Sequence, residues 1–197
     1  MALPLHGDGT GKYRIHIVGN SGILPCLQST LATELSKALN IPYIELDHIN
    51  WQPGWKEVSV EEFRLRLRSA VNATEGSWVV AGNYMSKRQT EFIEDSTDVI
   101  WLDPPLVVTF YRILCRTLGR LLGTKEPCSP GCAETIREAF FSRDSILLYC
   151  LTSHWKVRRK IRAQMKQDVD GKIQRLGGWG GKVRGWLQAV VEFSKAR

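Results

Sequence analysis

The feature of this sequence that most constrains its fold is an alternation of short apolar runs with stretches of helical periodicity. Strands that are buried on both faces read as continuous apolar runs, and such strands occur in parallel sheets covered by helices. The alternation therefore predicts an α/β fold, with one parallel sheet between two layers of helices. The predicted strands are residues 13–18, 43–46, 78–81, 99–102 and 172–176.

Helical spacing of apolar residues predicts the elements between these runs. A helix is expected directly after Thr30, and Ser59 with Glu62 forms a capping box that predicts the start of another. Residues 123–132 hold two prolines, two glycines and two cysteines between basic helices, and we interpret them as part of a lid at about residues 112–145. Residues 1–12 are predicted to be a flexible tail before a single domain at 13–197. Further helices are predicted at 106–122, 134–151, 154–167 and 181–196.

Composition indicates an anion-binding protein. The net charge is +7 and the pI is near 9.3, which suits phosphate-bearing ligands or nucleic acid. Six cations lie between Lys156 and Lys166, either as a solvated helix face or, as the less favoured alternative, as a nucleic-acid surface. No apolar run approaches the roughly 18 residues of a membrane span. Five irregularly spaced cysteines and the lack of a signal-peptide pattern predict reduced thiols and a cytoplasmic location.

A glycine-containing turn follows the first predicted strand. Residues 19–22 read Gly-Asn-Ser-Gly, and Ser29-Thr30 opens the next helix, which is the frame of a phosphate-binding loop. A Walker A loop ends in Gly-Lys-[Ser/Thr], whose lysine reaches the β and γ phosphates. Counted back from Ser29, that pair falls on Leu27 and Gln28. An ordinary strand–helix turn is the alternative interpretation.

Residues 23–28 occupy the place of a short Ser-Gly-Lys segment and add three residues. Part of this segment, Leu-Pro-Cys-Leu-Gln, can be encoded by a pyrimidine-rich stretch ending in CAG, as the 3′ end of an intron often is. We therefore hypothesise that residues 23–28 are a gene-model error, and a cDNA that encodes all six would refute this. If the segment is genuine, the missing lysine predicts a phosphoryl-transfer rate lowered by orders of magnitude.

Two acids follow predicted strands, at the edge where doubly wound sheets bind ligands. Asp47 ends the second strand and is placed to accept a hydrogen bond or a proton from a phosphoryl acceptor. Trp51 and Trp55 come soon after it, as packing residues or as an apolar wall. Asp103 ends a buried strand at the position of a Walker B carboxylate, which predicts a Mg²⁺ ligand, although a turn-initiating aspartate is the alternative.

Arginines flank the predicted lid. Arg112, Arg116 and Arg120 recur every four residues and so share one helix face, and Arg137 and Arg143 lie beyond the Pro/Gly segment. A phosphoryl-transfer enzyme needs movable cations over the transferred group. We interpret these arginines either as such cations or as solvated surface residues.

Taken in order, four motifs resemble the adenylate-kinase-like P-loop proteins often called topology modulation proteins. They are the loop frame, Leu46-Asp47-x-x-x-Trp51-x-Pro53-x-Trp55, the run from Trp78 to Tyr84, and Trp101-Leu-Asp103. The resemblance extends over residues 13–187, with Ala81 where the family typically has aspartate. It implies a three-layer P-loop NTPase core with a five-stranded parallel sheet and a helical lid, and it implies ATP and Mg²⁺ as cofactors.

The resemblance also implies site residues. Ser29 is expected to be the Mg²⁺ hydroxyl, together with Asp103. The residues expected to lie beside the ATP phosphates are Gly19, Asn20, Ser21, Gly22, Ser29 and Thr30. The arginines expected to act from the lid are Arg116, Arg120, Arg137 and Arg143. The predicted function is ATP-dependent transfer of a phosphoryl group to a small molecule, most simply a nucleotide or nucleoside, with Asp47 as the acceptor-side carboxylate. The alternatives are a catalytically inactive nucleotide- or phosphate-binding protein and a basic nucleic-acid-associated protein.

Overall fold

The computed structural model describes residues 4–19, 25–84, 95–125, 129, 131–132, 135–136, 139 and 145–196, with the backbone alone at residues 25 and 26. Five strands form one parallel sheet in the order β2-β5-β1-β6-β7, and β3 pairs with β4 as a small antiparallel hairpin. The five-stranded parallel sheet predicted from the apolar runs is confirmed. The strands are β1 Arg14–Gly19, β2 Tyr43–Glu45, β3 Trp51–Gln52, β4 Lys56–Glu57, β5 Trp78–Ala81, β6 Asp98–Asp103 and β7 Ile173–Gly177.

Helices connect the strands. The helix cap predicted at Ser59 is present, because Ser59 Oγ accepts a hydrogen bond from the Glu62 N–H at 3.1 Å. A π-helical turn, Pro25–Ser29, leads directly into α1. The described helices are α1 Thr30–Leu39, α2 Leu46–Asn50, α3 Val60–Asn72, α4 Leu106–Leu121, α5 Ile146–Gln167 and α6 Gly181–Lys195.

The two helices predicted at 134–151 and 154–167 differ from the structure, which has one continuous helix, α5, from Ile146 to Gln167. Thr152 and Ser153, which separate the predicted helices, donate their hydroxyl hydrogen bonds to carbonyl groups one turn earlier, those of Leu148 and Tyr149 respectively. These bonds satisfy both hydroxyl groups within the helix, so the polar pair does not interrupt it.

Helices cover both faces of the sheet. Side chains of α1 and α6, such as Leu35 and Val190, pack with Ile17 and Ile100 on one face. On the other face, α3 packs against β5, and Ile161 of α5 packs against Trp101 of β6. This is the three-layer α/β arrangement that the sequence predicted. Among the described residues, no helix has both the length and the hydrophobicity that crossing a membrane requires.

The described part of the predicted flexible tail, residues 4–12, packs against the domain. Leu5 is buried in the main core, and the N–H groups of His6 and Gly7 donate to the buried carboxylate of Asp98 at 2.7 and 3.1 Å. The Pro4 carbonyl accepts a hydrogen bond from the Trp186 indole at 3.2 Å. The glycines suggested flexibility, but a single leucine and a buried carboxylate supply enough contacts to hold the segment.

Candidate active site

The carboxyl ends of the parallel strands form the edge at which ligands bind in open α/β sheets. Gly19 ends β1, Glu45 ends β2 and Ala81 ends β5, with Glu45 directly opposite Ala81 in the register. On the other side of β1, Gly19 pairs with Leu102, the residue before Asp103. The edge therefore brings together Gly19, where the predicted phosphate loop begins, the segment that contains Asp47, and Asp103.

On the phosphate side, the hydroxyl group of Ser29 donates a hydrogen bond to Glu45 Oε1 at 2.7 Å. Ser29 has helical backbone angles, so the π-helical turn and α1 run on without a break, and Thr30 is the exposed first residue of α1. Sequence reasoning missed Glu45, because nothing local distinguishes it from any other strand-end glutamate. The structure makes it the nearest carboxylate partner of the predicted Mg²⁺ hydroxyl.

The positions predicted for a Walker A Gly-Lys pair are occupied by residues that contact the sheet and the core. Gln28, in the lysine slot counted back from Ser29, is buried, and its amide Nε2 donates to the Ile17 carbonyl of β1 at 3.2 Å. Leu27, in the glycine slot, packs against the main core. A neutral side chain tied to the sheet places no positive charge on a phosphate, so this segment lacks the cation that the Walker A loop supplies. The predicted loop residues Asn20, Ser21 and Gly22 lie outside the described residues.

On the opposite side of the edge, Asp47 lies in α2, directly after β2. The phenol of Tyr84 donates a hydrogen bond to Asp47 Oδ1 at 2.5 Å, and its ring centroid lies 5.3 Å from that of Phe63. This contact fixes one carboxylate oxygen and the orientation of the group. Tyr84 is a site residue that the sequence signalled only as part of the Gly82-Asn83-Tyr84 motif.

The segment after β5 links the two sides. Gly82 has a φ of +137°, and a Cβ at this position would lie 2.8 Å from Cβ of Leu46, so only glycine lets the chain pass α2 this closely. The next residue, Asn83, donates from Nδ2 to the Gly19 carbonyl at 3.1 Å. Asp47, through Tyr84, and the end of β1 are therefore held by three consecutive residues.

The described part of the predicted lid contacts the hairpin that follows Asp47. Gly54 donates its N–H to the Gly131 carbonyl at 3.0 Å, and Cys132 Sγ lies 3.3 Å from the Gln52 carbonyl. Gly131 has a φ of +75°, and a Cβ there would lie 2.9 Å from Cβ of Pro53. Residues 131–132 of the predicted lid are thus in close contact with the hairpin, beside the predicted acceptor side.

The structure describes only part of the predicted arginine set. Arg116 is buried on α4, and Arg120 is half-buried one turn later. Arg137 and Arg143 lie outside the described residues. The role of these four arginines over a transferred phosphoryl group stays a prediction.

Asp103 has partners that the sequence did not reveal. Its side chain is fully buried, and Oδ2 lies 3.1 Å from an Nη of Arg158 on α5 and 2.5 Å from an Nη of Arg175 on β7. It also shares its sheet face with Trp101, whereas α1 covers the opposite face. A carboxylate oxygen neutralised by two guanidinium groups does not fit a Mg²⁺ site. The hydroxyl and carboxylate oxygens of Ser29 and Glu45 fit one better, because Mg²⁺ prefers oxygen ligands that carry negative charge.

His16 is a buried titratable residue that contacts the segment after β5 at the candidate site. It lies in β1 with 1% of its surface exposed, and its Nε2 donates to the Gly82 carbonyl at 3.0 Å. Burial lowers the pKa of His16 from 6.5 to about 4. The imidazole is therefore neutral in the folded protein at neutral pH.

We expect this histidine to cause acid destabilisation. Its pKa is lower in the folded than in the unfolded chain, so only the unfolded state gains the proton as the pH falls from about 6.5 to 4. The free energy of unfolding should drop by about 3 kcal/mol over that range from this residue alone. Urea denaturation at several pH values measures the drop. A His16→Gln variant should lose this part of the pH dependence, while His48→Gln, at an exposed position, should keep it.

Comparison with known proteins bears on the fold alone. No protein-family model and no curated protein sequence matches this chain. Among solved structures, a gluconokinase from Sinorhizobium meliloti 1021 aligns over 94% of this chain and 96% of its own, at 14% identity and a TM-score of 0.50. A shikimate kinase from Bacteroides thetaiotaomicron aligns over 93% of this chain and 96% of its own, at 16% identity and a TM-score of 0.49. The sheet order and the likeness to the gluconokinase show that this chain has a P-loop kinase-like fold.

Proposed function

We propose that this chain is an ATP-dependent phosphotransferase for a small-molecule acceptor, and that its transfer step is slow because residues 23–28 lack the Walker A lysine. The observation that carries the proposal is the Asp47–Tyr84 pair, tied through Asn83 to the end of β1 in a kinase-like fold. The resemblance of the ordered motifs to topology modulation proteins supports the same reaction class.

Asp47 is the acceptor-side carboxylate in this proposal. With Oδ1 held by the Tyr84 phenol, the carboxylate keeps one orientation toward the acceptor hydroxyl. It orients that hydroxyl group and takes its proton as the oxygen attacks the γ-phosphorus. The bond between the γ-phosphorus and the bridging oxygen breaks in the same step, and ADP leaves with that oxygen. The lid segment, resting on the hairpin after Asp47, excludes water from the acceptor.

The donor side holds the nucleotide in this proposal. Backbone N–H groups of the 19–22 turn and the start of the helix bind the phosphates, with Ser29 and Glu45 as the oxygen ligands for Mg²⁺. When bound, Mg²⁺ neutralises charge on the phosphate oxygens. The lid arginines Arg116, Arg120, Arg137 and Arg143 are proposed to contribute the remaining positive charge.

The contacts of Gln28 favour a second candidate, a nucleotide-binding protein without catalysis. Its amide is committed to β1, so the chain lacks a flexible cation at the position where phosphoryl transfer needs one. In that case the fold retains a phosphate pocket, and the bound nucleotide acts as a structural or regulatory ligand.

Two measurements separate the candidates. Isothermal titration with ATP and Mg²⁺ measures binding, and a coupled ADP assay with a panel of nucleosides, nucleotides and sugars measures transfer. Acceptor-dependent ADP release supports the phosphotransferase, and binding without it supports the second candidate. The absence of ATP binding in the titration would contradict both.

Removing the acceptor-side carboxylate should abolish most of any transfer activity. Asp47→Asn removes the proton acceptor, and we expect kcat to fall by about 10²- to 10⁴-fold. Tyr84→Phe keeps the carboxylate and loses only its positioning, so a fall of about 10-fold is expected. The coupled assay measures both. Asp170→Asn, at a carboxylate with 72% exposure in the turn between α5 and β7, is the control and should leave kcat unchanged. An unchanged rate in Asp47→Asn would contradict the role.

A further inference from the structure

A basic groove lies between α5 and the edge strand β7, on the face opposite α1 and α6. Its volume is about 860 Å³, within the size range of ligand pockets. Residues from both elements and from β6 line it, including Trp155, Arg159 and Arg162 of α5, Arg175 of β7, and Trp101. The proposed phosphotransferase reaction uses none of these side chains.

Ion pairs connect the two walls of the groove. The buried Asp103 carboxylate binds Arg158 from the helix and Arg175 from the edge strand, and so ties the two walls together. Each guanidinium group also lies over an indole, Arg158 at 5.7 Å from the Trp155 centroid and Arg175 at 5.2 Å from that of Trp101. These cation–π contacts fix the guanidinium planes against the aromatic rings. One carboxylate balances only one of the two positive charges.

Further cations continue the groove along α5. Arg159, Arg162 and Lys166 are exposed, and none of them has an acidic partner in the described part of the chain. From Trp155 to Lys166 the helix rises about 16 Å. Trp155 stands at the beginning of this row with 57% of its surface exposed. An indole followed by a row of uncompensated cations is the combination found in single-strand binding grooves, where bases stack and phosphates pair with cations.

We propose that this groove binds a short segment of single-stranded nucleic acid. One base stacks on the indole of Trp155, and successive phosphates contact Arg159, Arg162 and Lys166. A single strand fits better than a duplex, because only an unpaired base can stack on the indole of Trp155. A membrane surface fits less well, because the cations line a concave groove.

The proposal goes beyond the phosphotransferase and is tested by binding alone. Fluorescence anisotropy with a labelled 12-nucleotide RNA measures affinity at several salt concentrations, in the absence of ATP. Three phosphate contacts predict a slope of log K against log salt concentration of about −2. Trp155→Ala should weaken binding by about 5- to 100-fold, which corresponds to the loss of one base stack.

A matched pair of variants separates the groove from net charge. Arg159→Gln with Arg162→Gln removes two groove cations, and Lys156→Gln with Lys160→Gln removes two exposed cations of the same helix outside the groove. We expect the first pair to weaken binding by at least 10-fold and to make the salt slope shallower by about 1.4. The second pair should weaken binding less than 3-fold. Circular dichroism checks that both variants keep their helix content.

Several results would overturn the proposal. Equal losses in the two double variants, or no loss in Trp155→Ala, would mean diffuse charge attraction. The same holds if a 12-base-pair duplex or AMP binds as tightly as the single strand. Binding to vesicles with phosphatidylserine but not to the RNA would identify a membrane surface. A failure of the kinase assay has no bearing on any of these measurements.

Discussion

Replacing residues 23–28 with Ser-Gly-Lys is expected to raise the rate of phosphoryl transfer by at least about 100-fold. The change removes Gln28, whose amide is tied to the Ile17 carbonyl, and Leu27, which packs on the core. It supplies a lysine directly before Ser29, where the cation of a Walker A loop meets the phosphates. The coupled ADP assay measures the rate with the acceptor that gives the largest signal.

The matched control is the same replacement with Ser-Gly-Met, which has the same length without the charge. We expect it to show no gain over the parent chain, because the effect depends on a cation at the transferred phosphoryl group. Equal gains in both replacements would assign the effect to loop length instead. No gain in either would contradict the proposal that residues 23–28 limit the reaction, and would favour the non-catalytic candidate.

Asp103→Asn is expected to lower the free energy of unfolding by about 3 kcal/mol. The change removes the charge that two guanidinium groups share and leaves both arginines beside a neutral amide. This loss of stability is at the lower end for buried ion pairs, because the side chains of Arg158 and Arg175 are 22% and 39% exposed to solvent. Chemical denaturation measures the loss.

The same variant separates the two interpretations of Asp103. An ion-pair residue predicts a large loss of stability, and a double-mutant cycle with Arg175→Gln should show strong coupling. A Mg²⁺ ligand predicts unchanged stability of the metal-free protein and a loss of activity that higher Mg²⁺ concentrations partly restore. Unchanged stability in Asp103→Asn would therefore contradict the ion-pair role.

Much of the fold follows from local sequence. The central strands β1, β5 and β6 are mostly apolar and almost fully buried, and in a sheet buried on both faces hydrophobicity alone marks such a strand. The edge strand β7 contains Gln174 and Arg175, so its apolar signal is weaker. Capping is also local, so Ser59 predicted the start of α3 correctly. Helix α5 could not be placed as one element, because whether Thr152 and Ser153 end a helix depends on where their hydroxyl groups bond.

The candidate site was only partly accessible from sequence. Strand ends identified Asp47 as an edge carboxylate, since parallel topology brings all carboxyl ends to one side. Neither Glu45 as the partner of Ser29 nor Gln28 as an anchor of β1 could be inferred, because each contact joins residues on separate elements. The sequence predicted a missing lysine, and the structure shows that Gln28, in the predicted lysine position, donates a hydrogen bond to the Ile17 carbonyl.

The sequence by itself determined the layer architecture, the edge of the sheet to which Asp47 and Asp103 belong, and the basic character of the chain, because these depend on composition and on order along the chain. Only the tertiary structure decided the partners of Asp103, which lie 55 and 72 residues away along the chain. The same packing brings Trp101 and Arg175 to the basic face of α5, where the sequence alone showed a run of cations after Trp155. Contacts over such distances depend on how helices and strands dock, and no local pattern encodes that docking.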